Sequence, residues 1–300
     1  MLKKFASHSI RLIVLLLLVS VSFSADAQHR RMKKKEADSK GTLWGYWGYN
    51  RTRYTKSDIR FVGPGYDFTL ANSKAHDEQA ILSSNNYLRL SNLTVPQFNV
   101  RLGYYFRDHW AISLGYDHFK YIFADDNEVF LSGEIDPGVD DVTNWSGTYD
   151  AEPVVTNRKL FHYENSDGMN FLRVELTRTD TWLSLGNKDQ FKFSTNVGFS
   201  FGGILSFNDF RFAGQESLRT ISMSGIGTAL HVSPRFEFFR HIFIQPTLSG
   251  GFMRQGKVKT RKNNASSYVQ QSFGYGEFNT VVGFFAYIRP TNGCDSCPVW

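Results

Sequence analysis

Residues 225–255 read GIGTALHVSPRFEFFRHIFIQPTLSGGFMRQ. In the first half the even positions carry Ile226, Thr228, Leu230, Val232, Pro234, Phe236 and Phe238, and the odd positions carry Ala229, His231, Ser233, Arg235 and Glu237. After a tight turn at 239–241 the alternation resumes, with Ile242, Ile244, Leu248 and Phe252 against Gln245, Thr247, Ser249 and Gln255. Side chains alternate across a strand, so the stretch reads as a hairpin with one apolar face suited to lipid and one polar face carrying charge.

The pattern recurs on both sides of this hairpin. Residues 98–106 set Phe98, Val100, Leu102, Tyr104 and Phe106 against Asn99, Arg101 and Gly103, and 110–122 set Trp110, Ile112, Leu114 and Tyr116 against Ser113, Gly115 and Asp117. Residues 169–183, 191–205 and 275–288 repeat it, and 42–54 is the first strand, with Trp44, Tyr46, Trp47 and Tyr49 suited to a membrane interface. Long connections at 55–95, 124–168, 208–220 and 257–267 alternate with short turns at 107–109, 186–190 and 239–241. Within the first long connection, 58–62 and 66–70 flank the turn signal Gly63-Pro64-Gly65, and 86–90 reads as one more short strand. The expected fold is all-β: a transmembrane antiparallel up-and-down β-barrel of eight strands, with long external loops and short periplasmic turns. Ten strands is the alternative, if 55–95 contributes a pair. Closure is expected because open sheet edges are not viable in hydrocarbon.

Composition and targeting agree with export. Lys3, Lys4 and Arg11 form a positive start, 12–19 is an unbroken apolar run, and Ala25-Asp26-Ala27 is an A-x-A cleavage site, so 1–27 reads as a secretory signal peptide. The run is shorter than the roughly 20 residues of a spanning helix, which argues against an anchor. A basic segment follows within 28–41 (His29, Arg30, Arg31, Lys33, Lys34, Lys35) and accounts for part of the net charge of +6. It reads as a solvated periplasmic tail or a contact with anionic lipid. The barrel is expected over 42–290, followed by a periplasmic tail over 291–300. The 27 Phe, 14 Tyr and 6 Trp are a heavy aromatic load for a chain that is only 41% hydrophobic; aromatic girdles on alternating strands would account for it. A secreted β-sandwich is the competing class. An exported chain with no recognisable binding module argues against nucleic acid.

The start GYWGYNRTRYTKSDIRF, the segment RFEFFRHIFIQ and the tail CDSCPVW resemble an uncharacterised outer-membrane family of the Bacteroidetes group. The resemblance spans nearly all of the chain after residue 27. It implies a small outer-membrane β-barrel and assigns no activity or site residues. Outer-membrane lipid, lipopolysaccharide and the barrel assembly machinery are the partners it implies.

By parity, Arg101, Asp117, Arg173, Glu175, Lys192, His231, Arg235, Glu237 and Glu277 point inward. A small barrel encloses a lumen only wide enough for side chains to fill, and unpaired buried charge is strongly unfavourable. A plugged interior of paired charges is therefore expected, with a structural or interaction role and loops 55–95 and 124–168 as the contact surface. A narrow channel for small solutes is one alternative. A lipid-modifying enzyme is the other: His231 and Ser233 share a strand face, a His-x-Ser pair that resembles the lipid A deacylases. Glu237, however, stands too far along the strand to orient them, so no catalytic residue is assigned and the chain is expected not to be an enzyme. The acidic residues Asp125, Asp126, Glu128, Glu134, Asp136, Asp140 and Asp141 offer oxygen ligands for calcium without the ordered spacing of a calcium loop; no metal or cofactor is expected. Cys294 and Cys297 form a C-x-x-C in the tail, which reads as a local disulfide in an oxidising compartment. Trp300 reads as an aromatic assembly signal, displaced from the last strand.

Overall fold

The computed structural model describes residues 39–288, leaving out 79, 82, 84–85, 87–95 and 187–188. The signal peptide, the basic segment up to residue 38, the strand expected at 86–90 beyond its first residue, and the tail with Cys294, Cys297 and Trp300 lie outside the described residues.

Among the described residues thirteen antiparallel strands form one sheet: β1 (Thr42–Tyr54), β2 (Ser57–Gly63), β3 (Tyr66–Ser73), β4 (Ala75–His76), β5 (Phe98–Arg107), β6 (Trp110–Phe123), β7 (Glu128–Ile135), β8 (Gly147–Val155), β9 (His162–Leu185), β10 (Phe191–Phe212), β11 (Gln215–Phe238), β12 (Ile242–Arg261) and β13 (Asn264–Tyr287). β1 pairs with β5 on one side and, from Thr42 to Tyr54, with β13 on the other. Between them the order runs β5-β6-β9-β10-β11-β12-β13, and β2, β3, β7 and β8 continue the sheet from β13.

This corrects the expected up-and-down barrel of eight or ten strands. β4, β7 and β8 arise from segments read as loops, β2 and β3 are the short strands read at 58–62 and 66–70 but join the main sheet, β2 departs from neighbour-to-neighbour order by pairing with the start of β13, and the whole sheet is a partial ring ending on β8. The connections expected at 208–220 and 257–267 shrink to turns after Phe212 and Arg261, because the strands run through them.

The physical reason is an inversion of polarity at constant parity. Along β10, Val197, Phe199 and Phe201 face outward and are exposed, while Asn196 and Ser200 face inward. Farther along, Phe210 and Phe212 face inward and are fully buried, while Asp209 and Arg211 face outward. The side-chain alternation is unbroken, but the apolar face has changed sides. β9, β11 and β13 have 24 residues each, which at roughly 3.3 Å per residue is far more than the about 9–11 residues a membrane-crossing strand needs. β9, β10, β12 and β13 each have a lower part, apolar outside, and an upper part, apolar inside, whereas the upper part of β11 keeps Leu218, Ile221 and Met223 exposed and buries Thr220 and Ser224.

The upper parts, with β2, β3, β7 and β8, form a head around a large aromatic core that includes Phe61, Phe68, Trp145, Phe161, Tyr163, Phe210 and Phe212. Phe61 stacks on Phe68 and Phe210 at 5.2 and 5.5 Å and meets Phe161 edge-on at 5.2 Å. Asp140 accepts hydrogen bonds from the backbone N–H groups of Val142, Thr143 and Trp145. These bonds outweigh its burial, hold its carboxyl below the ordinary value, and fix the loop that delivers Trp145. At the opposite end lie the short turns between β5 and β6, β9 and β10, and β11 and β12, together with the start of β1 and the end of β13, where Thr42 pairs with Tyr287.

Candidate functional site: a filled interior under an aromatic head

The outward face of the lower strands is a belt of exposed apolar side chains: Leu102, Ile112, Leu114, Leu172, Val174, Leu176, Ile226, Leu230, Val232, Leu248, Val282 and Phe284 among them. A water-soluble protein rarely exposes so large a contiguous apolar surface. Trp182, Phe239 and Tyr287 are exposed beside the short turns, where an interfacial aromatic girdle belongs. The belt is the surface that hydrocarbon requires, and it agrees with the outer-membrane location and β-barrel type expected from sequence. Two members of the expected girdle are corrected: Trp44 and Tyr46 point inward and are buried.

Inside, at mid-height, six of the sequence-predicted groups meet. Arg101 lies flat across β6 over Gly115, its registered partner, where a Cβ would stand 2.4 Å from Nη1. That approach lets Arg101 grip Asp117 in two places, Nη1–Oδ1 at 2.5 Å and Nη2–Oδ2 at 3.0 Å. Arg173 Nε approaches Asp117 Oδ2 at 3.0 Å. Glu175 Oε2 lies 3.7 Å from Arg101, 3.6 Å from Arg173 and 3.4 Å from His231 Nδ1. Glu277 joins through an amide: Asn99 Nδ2 donates to Asp117 and to Glu277, both at 2.7 Å, and Asn279 donates to Glu277 at 3.1 Å. Asn99, Asn279 and Gly115 are the members that the sequence reading passed over. Their signal was in the pattern, since each shares the inward parity of its charged neighbours.

The other predicted groups stand apart. Arg235, nearer the short turns, has aromatic rather than acidic company. Its guanidinium carbon is 4.6 Å from the Phe243 ring centre, 5.4 Å from Trp44 and 5.6 Å from Phe285. It donates to Tyr105 Oη and Gln245 Oε1, both at 2.8 Å. Glu237 is buried and accepts a long bond from Ser194 at 3.5 Å. Lys192 is half-exposed at the end of β10.

His231 and Ser233 are not brought together as a catalytic pair. His231 turns to Glu175, its ring against Gly198, while Ser233 accepts from Asn196 at 3.3 Å and is fully buried. The acidic residues of 125–141 are also dispersed: Asp125 faces His162, and Asp140 folds back on its own backbone. Among the described residues no group of three or more His, Cys, Asp or Glu side chains is placed to hold a metal ion.

The head contains its own charged clamp. His162 offers Nδ1 to Asp125 at 2.8 Å and Nε2 to Glu164 at 2.7 Å, and Arg158 Nη2 reaches Glu164 at 2.8 Å. Both ring nitrogens face carboxylates, an arrangement that only the doubly protonated ring satisfies with two donated bonds. Burial opposes the charge on His162, but the two carboxylates prevail and raise its pKa above 6.5. Glu164, also opposed by burial, is held down at about 2 by His162, Ser166 and Arg158. This cluster sits ten residues before Leu172, the first exposed apolar residue of β9, and so lies above the belt.

No family model and no curated protein matches the chain. Among solved structures it is similar to the N-terminal β-barrel domain of Pseudomonas aeruginosa OprF (10% identity, 82% of this chain and 98% of that one, TM-score 0.33). It is also similar to the outer membrane protein OprG of the same organism (10%, 83% and 97%, TM-score 0.36), and to the outer membrane protease OmpT of Escherichia coli (10%, 85% and 99%, TM-score 0.36). At these values the likeness transfers no residue role and no activity to this chain.

Proposed function

We propose that this is a sealed outer-membrane protein whose working part is the external head, a contact surface held above the lipid. The observation that carries the proposal is the filling of the interior at three levels. Arg235 sits among Trp44, Phe243 and Phe285 near the short turns. The Arg101–Asp117–Arg173–Glu175 network occupies mid-height, and the aromatic core fills the head. A solute path needs continuous polar space, and rings interrupt it above and below the charges.

Residues 1–27 would be removed on export, leaving 28–41 and 291–300 on the periplasmic side. The pairing of Thr42 with Tyr287 at the short-turn end supports that placement. Lipid and lipopolysaccharide would contact the belt, and the assembly machinery would insert it. Membership of the uncharacterised Bacteroidetes family rests on the three sequence segments that resemble it.

Planar-bilayer recording tests the sealed interior. The purified full chain is expected to insert without conductance steps; sustained unitary openings from the unmodified protein would refute it.

A further inference from the structure

On the outer surface of the head, β11 and β12 part company. Their ladder runs from the short turn up to Gly225–Gln255, and above that pair no backbone ladder joins them among the described residues. A bulge marks the start of the separation on each side. On β11, Gly225 and Met223 oppose successive residues of β10, so Ser224 is the extra residue. On β12, Gly256 and Lys257 together oppose Gln270. Bulges re-aim the side chains beside them. Side chains then bridge the seam: Ser222 Oγ accepts the Lys259 N–H at 3.1 Å, the Thr220 hydroxyl donates to the Lys259 carbonyl, and Arg261 closes the top on the Gln215 carbonyl at 3.3 Å. From Gly256 to Arg261 the seam runs for roughly 20 Å.

Its two lips differ in chemistry. On β11 the outward residues Leu218, Ile221 and Met223 are 54%, 54% and 63% exposed. They continue the apolar belt upward from Ile226, whereas β10 beside them has turned to Asp209 and Arg211. An exposed apolar surface of this kind marks a contact site.

On β12 the outward residues are Arg254, Lys257 and Lys259. Among the described residues none of these three cations has a carboxylate partner. The outward arginines of neighbouring strands are paired: Arg60 with Asp67, Arg211 with Glu216 and Arg219 with Asp167. Lys257 Nζ lies 5.2 Å from the centre of the Tyr268 ring, which holds the ammonium group on the outer surface. Hydrocarbon on one lip and unpaired positive charge on the other are both satisfied by an anionic amphiphile.

We propose that this seam binds one phosphorylated lipid, with an acyl chain along Ile221 and Met223 and the headgroup phosphate on Lys257 and Lys259, Arg254 standing at the lower end. Continuity with the lipid-facing belt favours a lipid over a protein, and the sign of the unpaired charge requires an anionic headgroup. With the head external, the lipid is the phosphoglycolipid of the outer leaflet, and to that extent the inference rests on the reading above. It names one seam as a built site, distinct from the general contact of the belt with lipid.

The test is native mass spectrometry of the full chain in detergent, titrated with diphosphorylated lipid A, with the same lipid stripped of both phosphates, and with inorganic phosphate. Saturable binding of lipid A is expected, at least about tenfold tighter than the stripped lipid, with no saturable uptake of inorganic phosphate. Lys257→Gln with Lys259→Gln should weaken lipid A at least about tenfold. Lys74→Gln with Lys159→Gln makes the same change of charge elsewhere on the head and should leave the affinity within about twofold. Ile221→Ser with Met223→Ser should weaken it several-fold, with heat-modifiable migration on a gel unchanged in every variant. Equal binding of the stripped lipid, an equal loss in both lysine pairs, or full affinity in the Ile221 and Met223 variant would overturn the site. So would a dimer by light scattering that this last variant dissolves, because a second copy would then cover the seam. A separate arm labels Asn263→Cys, with Cys294 and Cys297 changed to serine, on intact cells with a membrane-impermeant maleimide. Labelling without lipid binding sinks the site and leaves the external head standing, whereas binding without labelling sinks the external head.

Discussion

Arg101 and Asp117 face each other across β5 and β6 in a two-pronged ion pair, with neither side chain reaching solvent. A buried pair is weak evidence for stability in itself, but removing one partner strands the other charge. Arg101→Ala leaves Asp117 with Arg173 as its remaining cation and Glu175 with Arg173 and His231, and is expected to destabilise the protein by about 3–5 kcal/mol. Guanidinium unfolding in detergent micelles would measure this. Arg60→Ala, which opens the exposed Arg60–Asp67 pair of the head, should leave the midpoint nearly unmoved.

Gly198 is the floor on which the His231 ring lies; an added Cβ would stand 2.3 Å from His231 Cε1 and 2.9 Å from Thr177 Oγ1. Both contacts are buried and neither neighbour can move without disturbing Glu175. Gly198→Ala should therefore destabilise by about 1–3 kcal/mol, the usual range for overpacking. Gly256→Ala, with nothing within 4 Å, is the matched control and should be tolerated. Equal midpoints for the two variants would remove the packing explanation.

The His162 clamp makes the head sensitive to pH at both ends. His162 is raised above 6.5, so its contribution is complete below that value and is lost as pH rises through the raised one. Glu164 is lowered from 4.5 to about 2, so its contribution is complete above 4.5 and is lost as pH falls toward about 2. Full strength is expected between those ordinary values. Protease cleavage of the 124–168 segment should accelerate from about pH 6 to about pH 9 in the unmodified chain, and His162→Gln should flatten that rise. A cleavage rate unaffected by pH in the unmodified chain would show that the clamp does not hold the head.

The lower strands were legible in sequence; of the head, only the hairpin at 58–62 and 66–70 was. Ile226, Leu230 and Val232 against His231, Ser233 and Arg235 announce a strand because lipid outside and polar groups inside separate cleanly. The same parity continues through Phe210 and Phe212, but Asp209 and Arg211 now occupy the outward positions. A stretch so rich in charge reads as a loop when lipid contact is the feature sought. The inward charges were readable for a related reason, since parity alone assigns a face. Parity cannot assign partners: which carboxylate meets His231 depends on the register that brings β9 and β11 to either side of β10. Arg235 shows a further limit, because the rings that hold it come from β1, β12 and β13, and the sequence assigns Trp44 to a membrane interface.

The inversion along β10 is the centre of this account, and nitroxide labels placed along that one strand test it most directly. Cysteines would replace Val197, Phe199, Phe201, Asp209 and Arg211 in turn, with Cys294 and Cys297 changed to serine, in protein reconstituted into lipid bilayers. Relaxation by oxygen over a nickel chelate is expected at 197, 199 and 201, and the reverse preference at 209 and 211. Oxygen preference at all five positions, or nickel access at 199, would contradict it.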